Sequence, residues 1–261
     1  MSTQIRIFAR AAGALIAALL LGGVAAEVRA ATAAPSIYAE ALATPGRSDK
    51  DKERDARDKP AEVLAFAGFK RGMRIADIFG AGGYYSEILA AVVGPKGKVL
   101  LVNNPGYARF AAKAMAERFN DGRLAAVERM EVPNENLGLG KEKLDGALFV
   151  MSYHDLYWED KEGFPRIDAA QFLEQVRAAM KPGATLLIVD HSAVEGSGSA
   201  PAQTLHRIDE KFAIADLKSH GFELVKSYDG LRNPADNRLR PVFDETIRGK
   251  TDRFVHVYRR L

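Results

Sequence analysis

No cysteine occurs in this 261-residue chain. That excludes disulfides, thiolate nucleophiles and any metal centre built on sulfur. An excess of one charge is lacking too: 37 Lys and Arg stand against 34 Asp and Glu, for a formal +3. Without Arg6, Arg10, Arg29 and Glu27 in the first thirty residues, the remainder carries +1. No basic stripe carries interleaved aromatics, so no nucleic-acid partner is expected. There is no internal repeat, no H-x-x-x-H spacing, and no apolar run of the roughly 20 residues that span a bilayer. The 47% hydrophobic content excludes wholesale disorder, and the chain is long enough to bury a full core.

Residues 1–30 read as an address. Arg6 and Arg10 precede the apolar stretch 11–26, and small residues follow, the order of a secretory signal peptide. Cleavage is expected after Ala26, Ala30 or Ala33. The expectations are export to the periplasm or beyond, and no stable membrane insertion after cleavage. Residues 31–70 read as a linker with helices. Within them, 47–59 holds eleven charged residues in thirteen, with Ser48 as candidate helix cap and Asp51 as its partner. Glu53 with Arg57 and Asp55 with Lys59 have the favourable i, i+4 order. The segment is either a solvated helix or a lid over a pocket. Pro60 opens a second helix, 61–69.

From residue 71 to 261 strands and helices alternate. Strands are expected at 73–79, 98–102, 125–132, 144–151 and 184–189, with helices after Tyr84 and at 107–119 and 168–180. Leu205, Ile208, Phe212, Ala215 and Leu217 are spaced for one face of a further helix. Strands this apolar, separated by helices, predict a parallel sheet covered on both faces. The last two strands, 222–228 and 253–259, have only a loop between them, which predicts an antiparallel end. One α/β domain is expected.

The ligand of such a sheet sits outside the strands' carboxyl ends, beside the turn after strand one. Asp77-Ile-Phe-Gly-Ala-Gly-Gly-Tyr-Tyr85 holds that place. Its glycines allow a tight turn and a close approach, and the helix behind it offers free N–H groups. Residues 73–103, MRIADIFGAGGYYSEILAAVVGPKGKVLLVN, resemble the opening of a class I S-adenosylmethionine-dependent methyltransferase. With YHDLYW (153–158), MKPGATLLIVDH (180–191), HRID (206–209), LRNPAD (231–236) and IRGKTDRFV (247–255), the chain resembles a bacterial branch of predicted exported methyltransferase-like proteins. The resemblance runs from about residue 47 to the end. It implies a Rossmann-like sandwich with a mostly parallel seven-stranded sheet and an antiparallel terminal strand. It also implies S-adenosylmethionine as cofactor, held by Asp77, Phe79, Gly80, Ala81, Gly82, Gly83, Asn103 and Asn104. Asp77 and Gly83 match the family turn, while Phe79 and Ala81 stand where its first two glycines would be. Asn103-Asn104 replaces the acid that holds the ribose. These departures predict weak cofactor affinity or a different ligand.

His154-Asp155 follows the fourth strand and Asp190-His191 ends the fifth, so His154, Asp155 and His191 are the catalytic candidates. A histidine beside a carboxylate can serve as general base near neutral pH. Tyr153, Trp158, His206, Arg232 and Arg248 are the candidate contacts to a small-molecule substrate. His206 and Asp209 are expected three apart on one helix. The long connection 229–252 is either a substrate-holding loop or a lid whose charges pair among themselves. No metal is expected, although His154, His191 and His206 with Asp155 or Asp209 are of ligating type. Three functions stay open: methyl transfer to a small molecule, non-catalytic binding on the same fold with a degenerate cofactor site, and metal-assisted hydrolysis.

Overall fold

A computed structural model describes residues 36–160 and 163–261. The signal-peptide expectation falls outside these residues. Seven strands carry the architecture: β1 (Arg74–Ile78), β2 (Lys98–Asn103), β3 (Val127–Glu131), β4 (Leu144–Val150), β5 (Met180–His191), β6 (Phe222–Ser227) and β7 (Arg253–Arg260). They form one sheet in the order β3-β2-β1-β4-β5-β7-β6. Pairings are parallel from β3 through β5, while β7 runs antiparallel to both β5 and β6. This is the sheet expected from the sequence, down to its antiparallel end.

The interior strands β1, β2 and β4 are buried along nearly their whole length, which is why they read as continuous apolar runs rather than alternating ones. One face is covered by α1 (Ile37–Leu42), α3 (Pro60–Ala67) and α4 (Tyr84–Val93), through Val63, Leu64, Ile88 and Val92 against Ile75, Leu148 and Leu187. The other is covered by α6 (Ala169–Ala179) and α8 (Glu210–Ser219), with Phe172, Leu173, Val176 and Leu217 on Ala76, Phe149 and Ile188. The sheet order reverses direction at β1, whose neighbours are β2 and β4. The carboxyl ends of these three strands therefore form the crevice at the switch point.

Two local expectations need correction. The apolar residues from Leu205 to Leu217 do not share a helix: α7 (Pro201–Leu205) stops at His206, whose backbone is left-handed at φ 51°, and α8 starts afresh. Asp209 is the cap of α8, accepting from the Lys211 N–H at 2.9 Å. His206 and Asp209 thus lie between helices, because Ile208 is drawn into a bridge with Ser192 beside β5. The strand expected at 184–189 is longer as well, since β5 begins at Met180 and takes in Pro182 and Gly183. Among the described residues no helix is long and apolar enough to cross a membrane.

Candidate functional site

The turn after β1 is built tightly. Phe79 and Ala81 both hold left-handed backbone, at φ 53° and 50°, a conformation costing roughly 1–2 kcal/mol for a residue with a Cβ. Hydrogen bonds hold them there: the Phe79 N–H donates to the Val102 carbonyl at 2.7 Å. The Asn103 side chain accepts from the Ala81 N–H and donates to the Ala81 carbonyl, each at 3.0 Å. A Cβ on Gly80 would fall 2.5 Å from the Asp77 carboxylate, so only glycine fits that place. Asp77 lies buried beneath, accepting from the Ser86 hydroxyl at 2.7 Å. Burial pushes its carboxyl up to about 6, against the pull of Ser86 and Arg54. Gly83, at φ 81°, begins α4.

The Phe79 ring is buried in the core cluster beside the turn. It stacks on Tyr107 at a centroid distance of 4.6 Å and 5° between planes, and lies 5.1 Å from the Phe172 ring. Tyr107 belongs to α5 (Pro105–Arg118), which Asn104 caps by accepting from the Tyr107 N–H at 2.8 Å. The Asn104 amide donates to Asn134 at 3.1 Å. Phe164 packs edge-on against Tyr107.

On the other side of the turn, Gly80, Ala81, Gly82 and Tyr84 line a cavity of about 620 Å³. Its further walls include Arg54 and Phe110, the latter on α5. Arg54 lies on α2 (Asp49–Asp58), the charged segment, capped by Ser48 as expected. The i, i+4 partner foreseen for Asp55 gives way to one outside the helix, and Asp58 joins an i, i+4 partner to a distant one. Asp55 takes Arg47 in two bonds of 2.5 and 2.8 Å, and Asp58 takes Arg54 and Arg253 at 2.6 and 2.8 Å. Arg118 of α5 reaches Asp51 at 2.7 Å, Glu87, and the Gly82 carbonyl at 2.7 Å. The charged helix is therefore a cavity wall whose inner ion pairs are buried.

At the ends of β4 and β5 the histidines converge. A single 3-10 turn, His154–Tyr157, follows β4. Asp190, fully buried, accepts from the backbone N–H of His154 at 2.9 Å and of His191 at 2.7 Å, and meets His154 Nδ1 at 2.7 Å. His154 Nε2 lies 3.3 Å from Asp155, and His206 Nδ1 lies 3.7 Å from the same oxygen. The other Asp155 oxygen accepts from the Tyr107 hydroxyl. Burial works against a charge on His154, but Asp155 and Asp190 outweigh it and hold the imidazole up to about 9. Burial also opposes the Asp155 charge, and His154, His206 and Tyr107 still keep this carboxyl below the usual range. His191, 6.0 Å from His154 between ring centroids, goes the opposite way. Burial and the charges of His154, Arg253 and Arg207 push it well below 6.5. Its Nδ1 is bonded to the Thr251 hydroxyl at 2.7 Å.

His154, Asp155, His191 and His206 are thus brought together, and the Trp158 ring lies 5.1 Å from His206. Tyr153 is not: it is fully buried, with its hydroxyl on Asp216 of α8. Arg232 is spent on Glu210 at 2.6 Å and on the Ser192 hydroxyl at 3.1 Å, and Arg248 is exposed. The connection 229–252 pairs with itself and with its base, through Arg238–Asp252, Arg240–Asp244 and the buried Arg207–Asp236 pair. Tyr107 and Thr251 were missed as members of the site. Tyr107 lies in none of the family-like motifs, and Thr251 lies within IRGKTDRFV without marking itself as a histidine partner; only the fold brings them to the cluster. Asp190 was visible beside His191, but its imidazole partner is His154.

No family model matches the chain, and no curated protein matches it. Solved structures do. A methyltransferase from Aquifex aeolicus described as S-adenosylmethionine-dependent superposes with a TM-score of 0.54 at 21% identity, over 77% of this chain and 89% of that one. A putative methyltransferase from Bacillus halodurans gives 0.53 at 15% identity, over 77% and 98%. The [4+2]-cyclase SpnF gives 0.55 at 16%, over 78% and 80%. The fold is the methyltransferase fold.

In the conformation described, the groups expected to hold the donor are engaged within the chain. The Phe79 and Tyr107 rings stack beside the turn, both buried. The polar groups of Asp77, Asn103 and Asn104 are already bonded within the chain.

Proposed function

We propose that this protein is an S-adenosylmethionine-dependent methyltransferase acting on a small-molecule acceptor, in a state whose donor crevice is closed. One observation carries the reading: the glycine turn and the histidine cluster share a wall. Phe79 stacks on Tyr107, the Tyr107 hydroxyl reaches Asp155, and Asp155 meets His154. Moving that two-ring stack opens the turn directly onto the cluster. Methyl transfer depends mainly on alignment of donor and acceptor, and this adjacency supplies it. Bound S-adenosylmethionine would furnish an electrophilic methyl group. Among the chain's own residues, Trp158 and His206 flank the acceptor. His191, with Nδ1 on Thr251, keeps Nε2 to take the acceptor's proton. The leader-like residues 1–30 place the enzyme outside the cytosol in this reading, where the donor must be supplied.

Calorimetric titration with S-adenosylhomocysteine tests it on two proteins, wild type and Phe79→Gly. Binding that tightens in the variant supports methyl transfer. A second reading, a binding protein without the donor, is favoured by the internal use of Asp77, Asn103 and Asn104. Absence of heat from both folded proteins selects it.

A further inference from the structure

Asp190 accepts a hydrogen bond from His154 Nδ1, which leaves His154 Nε2 facing the Asp155 carboxylate at 3.3 Å. Without its Nε2 proton the imidazole directs a lone pair at the Asp155 oxygen, so a positive centre between them, a proton or a metal ion, holds the pair together. His206 Nδ1 faces the same oxygen from 3.7 Å, and the three ligand atoms all lie within 4.8 Å of one another. Ligands about 2.0–2.2 Å from a tetrahedral ion are separated by roughly 3.3–3.6 Å, so two of the three separations already match or nearly match. The His206 side chain is 21% exposed, and the third separation stays within the same 4.8 Å.

We propose that His154 Nε2, Asp155 and His206 Nδ1 form a site for a divalent transition-metal ion of the zinc class, with a coordination position left open to a ligand. Two imidazoles and one carboxylate are a donor set for such an ion, and three protein ligands with an open position mark a reactive rather than a structural site. The surrounding bonds are those such a site requires. Asp190 orients His154 from its far nitrogen, and Tyr107 fixes the second Asp155 oxygen, as outer partners of metal ligands do. The Trp158 and Phe243 rings lie 5.1 and 4.9 Å from His206, giving the ion an apolar flank. The site shares His154, Asp155 and His206 with the acceptor side of the methyl-transfer reading, but needs neither the glycine turn nor a donor.

The test is titration of chelator-treated full-length protein with zinc chloride by calorimetry, and with cobalt(II) followed by visible absorption. One equivalent is expected to bind at micromolar or lower Kd, with a cobalt spectrum of four or five ligands. His206→Ala and Asp155→Asn are each expected to weaken binding at least tenfold with circular dichroism unchanged. His220→Ala, a histidine outside the cluster, is expected to leave it unchanged. Folded wild type that binds no metal overturns the proposal and leaves a proton as the positive centre. Binding that survives both ligand substitutions overturns it as well, placing the ion elsewhere.

Discussion

Asp77→Asn isolates the burial of one carboxylate beneath the glycine turn. In the folded chain its carboxyl titrates at about 6, against 3.8 when unperturbed. A carboxyl raised on folding favours the native state while protonated. Its contribution is fully present below about pH 4 and is lost as pH rises through 6. At about 1.36 kcal/mol per unit, the loss by pH 8 is about 3 kcal/mol. Asn cannot ionise, and its amide oxygen can still accept from the Ser86 hydroxyl. Denaturant unfolding of both proteins at pH 4 and pH 8 measures the effect. The stability of Asp77→Asn relative to wild type is expected to rise by about 3 kcal/mol between those conditions. A variant that loses ground at pH 8 would refute the reasoning, showing that the ionised carboxylate is an asset to the turn.

Further outcomes follow from other contacts. Phe79→Gly removes a ring stacked on Tyr107 but relieves a left-handed backbone. About 3–5 kcal/mol of packing is lost and roughly 1–2 regained, so a melting temperature several degrees lower is expected; a rise would show the ring to be strained. Arg207→Met breaks the fully buried pair with Asp236. It is expected to cost about 3–5 kcal/mol and to expose 229–252 to limited proteolysis, and an uncut loop would show that its other pairs suffice. His154→Ala is expected to abolish any turnover found in an acceptor screen, with the far-ultraviolet dichroism retained. Surviving turnover would place His154 outside the transfer step.

The sheet was legible because β1, β2, β4 and β5 are apolar runs closed by glycine or proline turns, and the link between β6 and β7, a loop with no helix in it, announced the antiparallel end. The break at His206 was not, since Leu205, Ile208 and Phe212 keep helical spacing while a tertiary bridge to Ser192 draws the chain out of the helix. Charge on α2 left a solvated helix and a lid both open, because its partners Arg47, Arg118 and Arg253 lie outside the helix, beyond the reach of local i, i+4 rules. In the site, Phe79 and Asn103 stood out as departures from the turn they resemble. Their consequence, a ring stack and an amide clasp on the turn, depended on Tyr107 and Ala81 arriving there through the fold. The residue types at the strand ends were readable, but the pairing of His154 with Asp190 follows from the parallel register of β4 and β5.

The most direct test of the central claim is calorimetric titration of the wild-type protein with S-adenosylmethionine and S-adenosylhomocysteine. A methyltransferase that opens its crevice predicts saturable binding of both, in the micromolar range or weaker. Absence of heat at millimolar ligand, from protein shown to be folded and from Phe79→Gly alike, would contradict it and leave a methyltransferase fold that serves another ligand.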